Sequence, residues 1–79
     1  MKGDRIERLR GRPKDYTYDE LKALLVWLGY REKTGSGSRR KFIDETNNKI
    51  LLHKPHPKNI LKDYVMKEVL ETLEAHGKI

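Results

Sequence analysis

Two short stretches hold the side chains best suited to chemistry on an anion. Residues 51–59 read LLHKPHPKN, and residues 35–42 read GSGSRRKF. In the first, His53 is a candidate proton carrier because imidazole titrates near neutrality. His56 stands between Pro55 and Pro57, whose neighbours are biased to extended backbone, and is a second candidate. In the other stretch, Gly35 and Gly37 let the backbone approach a ligand closely and Ser36 and Ser38 offer hydroxyls. Arg39, Arg40 and Lys41 then add charge. With Lys54 and Lys58 from the histidine segment, the set suits a phosphate.

Several chemistries lack their residues. The glycine-rich stretch has no closing Gly-Lys-Ser/Thr and precedes a strand pattern, so it is not a nucleoside-triphosphate loop. His53 and His56 want further ligands to hold zinc, yet the chain has no cysteine, and Asp44 and Glu45 fall at the far turn of the hairpin; no metal site is expected. A serine nucleophile elbow is missing. RNA fits better, because its 2′-hydroxyl is its own nucleophile. Strand scission then needs only a group to take a proton, a group to return one, and cations aimed at the charge growing on phosphorus, with no metal or cofactor. The plainer alternatives are a charged loop leading into a soluble edge strand and a strand-end histidine that only hydrogen-bonds.

These residues must be positioned by very little protein. Seventy-nine residues fit one domain, for which about 60% of the unfolded surface is buried on folding. Without cysteine, helices packed on a sheet must supply stability, and a reducing, cytoplasmic setting is expected. The N-terminus, MKGDRIERLR, is charged where a secretion signal would be apolar, and no membrane span is expected. The net charge of +6 is uneven: residues 1–33 carry +3, residues 34–62 carry +5 and residues 63–79 carry −2. A basic excess gathered in the middle is the footprint of a polyanion partner.

The elements follow from periodicity. A short helix is predicted from Asp4 to about Arg10, with Asp4 and Glu7 spaced as a capping box. A second helix is capped by Thr17 with Glu20 three residues on, stapled by Tyr16 and Leu21, and closed by Gly29. Trp27 is assigned to the core. YREKT, RRKFID and KILLHK read as strands, with ETNN as the turn between the last two. Period two puts Phe42, Ile50 and Leu52 inward, so Arg39, Lys41, Ile43, Leu51 and His53 face outward together. A final helix is expected from about Tyr64 to Ala75, with Asp63 as N-cap and Gly77 as stop, and His76 suits the negative end of its dipole. The predicted fold is α+β: a two-layer sandwich with a three-stranded antiparallel sheet, helices on one face, and an extra short N-terminal helix.

The helix ending LGY, the GSGSRRKF approach to the second strand, the HKPHP exit from the third and the closing AHGKI together resemble the HicA-family toxins of type II toxin–antitoxin systems. The GSGSR and HxPHP motifs resemble one branch in particular. The likeness spans roughly residues 17–79, leaving residues 1–16 as an N-terminal extension of a single domain. It implies a double-stranded-RNA-binding-domain-like fold, endoribonuclease activity on messenger RNA (an mRNA interferase) and a HicB-type antitoxin covering the RNA face.

The chain departs from the resemblance at Arg39, where many members carry the expected catalytic histidine. Arginine stays charged and cannot act as a general base. Two readings stay open: His53 has taken the role, or the chain binds RNA without cutting it. The first makes His53 and His56 catalytic, with Gly37, Ser38, Arg39, Arg40, Lys41, Lys54 and Lys58 binding RNA. The second is a non-catalytic RNA-binding module on the same face, and a protein-docking domain is a further alternative.

Overall fold

A computed structural model describes residues 2–35, 37–55 and 58–79. The element order is α1 (Lys2–Arg10), α2 (Tyr18–Trp27), β1 (Arg31–Thr34), β2 (Arg39–Ile43), β3 (Lys49–His53) and α3 (Asp63–Ala75). The strands form one antiparallel sheet in the order β1-β2-β3. This is the α+β architecture expected from periodicity, and it is consistent with a double-stranded-RNA-binding-domain-like fold. No described helix is long and apolar enough to cross a membrane.

α2 begins where its sequence demands. Thr17 has extended backbone and its hydroxyl accepts from the Glu20 amide at 3.1 Å, while the staple residues Tyr16 and Leu21 are both buried. Gly29 closes the helix with φ +102°, a conformation that costs glycine least. Leu21, Leu24 and Leu25 of α2 and Met66, Val69 and Leu73 of α3 meet Phe42, Ile50 and Leu52 of the sheet in one core. α1 joins them, since Leu9 is fully buried and Ile6 packs against the same cluster. The N-terminal extension is therefore part of the core.

Three expectations are corrected. α1 starts at Lys2, so Asp4 lies within the helix and not at its N-cap position. α3 starts one residue early: Lys62 holds the N-cap position without a side-chain bond, and Asp63 lies inside the first turn, 3.4 Å from the Arg12 guanidinium. A carboxylate there still suits the positive end of the helix dipole. Trp27, assigned to the core, is 41% exposed at the C-terminal end of α2, whereas its neighbours Leu24, Leu25 and Tyr30 are buried. His76 follows α3 as its C-cap, and its Nδ1 lies 2.7 Å from the Tyr30 hydroxyl.

The β2–β3 turn is built around Asp44, a buried carboxylate. It accepts from the Asn48 amide at 2.8 Å, the Asn48 side chain at 2.9 Å and both the amide and hydroxyl of Thr46 at 3.0 Å. Lys78 pairs with it at 3.0 Å. Burial alone would raise this carboxyl, but these donors outweigh it and hold the group well below the ordinary carboxylate range. The turn and the C-terminal tail are thus tied together. After β3 the chain returns through residues 59–61, where the Tyr18 amide bonds the Asn59 carbonyl and the Leu61 amide bonds the Tyr16 carbonyl.

Candidate nucleic-acid interface

Strand register turns the sheet's uncovered face into a grid. Arg39 pairs with His53, Lys41 sits between Lys33 and Leu51, and Ile43 sits between Arg31 and Lys49. Successive residues alternate sides, so the burial of Phe42, Ile50 and Leu52 under the helices sends all of these residues to the other side. The face therefore presents five cations, Arg31, Lys33, Arg39, Lys41 and Lys49, with His53 at one corner and Leu51, 74% exposed, beside it.

Lys33 and Lys41 stand directly opposite each other. Like charges so placed weaken a sheet, and a bound anion would relieve them. A shallow cavity lies over this end of the sheet, bordered by Lys33, Gly35, Arg39, Lys41, Leu51 and His53.

The geometry joins two of the sequence candidates most closely. The Lys54 amide bonds the Ser38 carbonyl at 2.7 Å, which makes Arg39–His53 a narrow pair of the non-hydrogen-bonded kind, where side chains stand nearest. Ser38 Oγ lies 3.5 Å from His53 Nδ1, at the outer limit of a hydrogen bond. In the tautomer with its proton on Nδ1, the ring donates to Ser38 and Nε2 presents a lone pair. Gly37 takes φ +59° in the loop before β2. Gly35 lies close to the next strand, where a Cβ would meet the Arg39 Cβ at a tight 3.1 Å.

Other candidates lie elsewhere. Arg40 shares the helix side with Phe42 and is half-buried. It donates to the carbonyls of Gly37 at 3.0 Å and of Arg39 at 2.8 Å, and its Nε lies 3.8 Å from Glu32. Lys54 also turns from the grid, its ammonium 5.6 Å from the centre of the Tyr18 ring. Lys58 is exposed beyond β3. His56, together with Ser36, lies outside the described residues. No cluster of three or more metal-ligating side chains occurs among the described residues.

Strand parity sends Arg40 to the helix side with Phe42, and Glu32 gives it a partner there. Its carboxylate accepts from the Tyr18 hydroxyl and pairs with Lys22 at 3.0 Å as well as with Arg40. The Tyr18 hydrogen bond, opposed by burial and aided by Lys22 and Arg40, keeps the carboxyl low. Burial and the same bond push the Tyr18 hydroxyl up. Arg40 is thus a strut between this carboxylate and the loop carrying Ser38 and Arg39. Sequence reasoning had missed Arg31, Lys33 and Lys49, although the alternation that placed Arg39 also places them once the strand register is known.

Fold and site define a class: a small two-layer α+β domain with a bare cationic sheet face and a histidine at its edge. The family described as HicA toxin of bacterial toxin–antitoxin matches residues 18–75. The chain belongs to that HicA toxin family, and it is therefore the toxin of a toxin–antitoxin pair, with an antitoxin as partner. No curated protein and no solved structure matches the chain.

Proposed function

We propose that this chain is an endoribonuclease acting on messenger RNA in the cytoplasm, as a single domain that needs no metal. Family membership supports the substrate class, since HicA toxins are generally messenger-RNA-cleaving ribonucleases. The observation that carries the catalytic reading is the direct pairing of His53 with Arg39 on the uncovered cationic face. His53 takes the proton of a 2′-hydroxyl as its oxygen attacks the adjacent phosphorus. The bond from phosphorus to the 5′ oxygen breaks, leaving a 2′,3′-cyclic phosphate and a 5′-hydroxyl. The leaving oxygen receives its proton from the protonated His53 ring or from His56.

Arg39 faces the charge that builds on the non-bridging oxygens, and a planar guanidinium can meet two of them at once. Lys33 and Lys41 hold the neighbouring backbone, and Gly37 lets the strand approach. Arg40 and Lys54, in this reading, act on RNA through the loop they brace, while Lys58 extends the cationic track. A HicB-type antitoxin inhibits by covering this face.

The test is labelled RNA incubated with the protein in EDTA, beside the same oligonucleotide with every 2′-hydroxyl removed. Cleavage of the ribo strand alone, with cyclic phosphate ends, is expected. Intact RNA would leave a non-catalytic RNA-binding module, a reading supported by Arg39 standing where a catalytic histidine is expected.

A further inference from the structure

Among the described residues β3 ends the sheet, and no strand covers its outer edge. In the ladder set by the narrow Arg39–His53 pair, Ile50 and Leu52 turn their amides and carbonyls to β2, whereas Lys49, Leu51 and His53 turn theirs outward. Among the described residues no strand pairs with those outward groups. The opposite edge, β1, reads Arg-Glu-Lys-Thr, a charged composition typical of protected edges. β3 instead carries Ile50, Leu51 and Leu52 in succession. Between its free edge and α3 runs a trough lined by Leu51 and Leu52 on one wall and by Val65 and Glu68 on the other, reaching Tyr64 at one end.

We propose that this edge receives an extended segment of an acidic partner chain as a fourth strand, with acidic and apolar side chains in alternation. Strand alternation sends every second partner side chain to the cationic face beside Lys49 and His53, and the others into the trough against Leu52 and Val65. Glu68 and Glu71 line the helix wall towards Lys49 and repel acidic residues there, whereas Lys54, Lys58 and Lys62 border the Tyr64 end of the trough and attract them. A second copy of this chain is disfavoured: pairing β3 with β3 would merge two faces of five cations each, in molecules of net charge +6. The inference stands apart from RNA cleavage, because it uses the strand's outward amides rather than His53 chemistry.

The probe is the synthetic peptide acetyl-Glu-Ile-Glu-Val-Glu-Ile-Glu-amide, titrated into the full chain and followed by amide NMR. Binding with a dissociation constant below ~1 mM is expected, with shifts and exchange protection at Lys49, Leu51 and His53. N-methylation of the peptide's β3-facing amides, or regrouping the same residues so that alternation is lost, should weaken binding ~10-fold or more. Leu51→Pro in the protein removes one outward amide without touching the β2 ladder and should weaken it too. Equal affinity for the regrouped or N-methylated peptides would reduce the effect to plain charge attraction and overturn the proposal. So would an absence of binding at ~1 mM, or sedimentation showing dimers that Leu51→Pro dissolves.

Discussion

Arg39 and His53 can divide the work on a phosphodiester because neither can do the other's part. The guanidinium keeps its charge and stabilises an anion, while the imidazole can move a proton. Replacing Arg39 with Gln should weaken RNA binding and flatten the fall of log K with log salt by about 0.7, the share of one phosphate contact on a single strand. Ser38→Ala should lower the cleavage rate by more than it weakens RNA binding and alter the pH profile, since Ser38 Oγ lies 3.5 Å from His53 Nδ1.

Asp44 makes a separate prediction. Its folded-state carboxyl is held below its ordinary value, so its contribution to stability is present above pH ~4 and is lost as pH falls further. Asp44→Asn should lower stability at neutral pH and flatten the acid limb of an unfolding curve followed by circular dichroism. A variant whose acid limb matched the parent's would contradict this.

At the scale of elements, helix caps and strand parity decide the architecture. Thr17→Ala should cost about 1 kcal/mol through the lost α2 cap, and Leu9→Ala about 2–5 kcal/mol through the cavity left under α1, both read by denaturant unfolding. Much of this was legible in the sequence. Period two placed Phe42, Ile50 and Leu52 against the helices and brought Arg39, Lys41 and His53 together, because a one-residue slip would reverse every side chain. Tertiary partners were not legible. Arg40 has the parity of Phe42, but only Glu32, reaching across from β1, shows what a cation does on that side. The one-residue shift in the start of α3 lies within the ordinary variation of helix ends, and the pairing of Asp63 with Arg12, some fifty residues away, was not legible either. Trp27 was assigned to the core because large aromatics are usually buried, yet it lies outside the Leu21, Leu24, Leu25 and Leu28 row and is 41% exposed.

Across the whole molecule, the helices seal one side of the sheet, and the charged side carries the proposed RNA site, so stability and the proposed function draw on opposite faces. The sealed side depends on buried tyrosines. Burial, reinforced by Glu20, pushes the Tyr16 hydroxyl up to about 12, and burial with Asp44 nearby pushes Tyr30 up to about 12 as well. The unfolded chain releases these protons from pH ~10, so their contribution is intact below that and is lost as pH rises towards ~12. Alkaline unfolding within that window should coincide with the appearance of tyrosinate absorbance.

The opposite side depends on charge, and RNA affinity should fall steeply with salt while the unfolding midpoint changes little. The most direct measurement of the central claim is the single-turnover rate of RNA cleavage in EDTA by the parent chain and by His53→Ala, at saturating protein. His53→Ala is expected to bind RNA as the parent does and to cleave it about 10²- to 10⁴-fold more slowly. An unchanged rate in His53→Ala would contradict it.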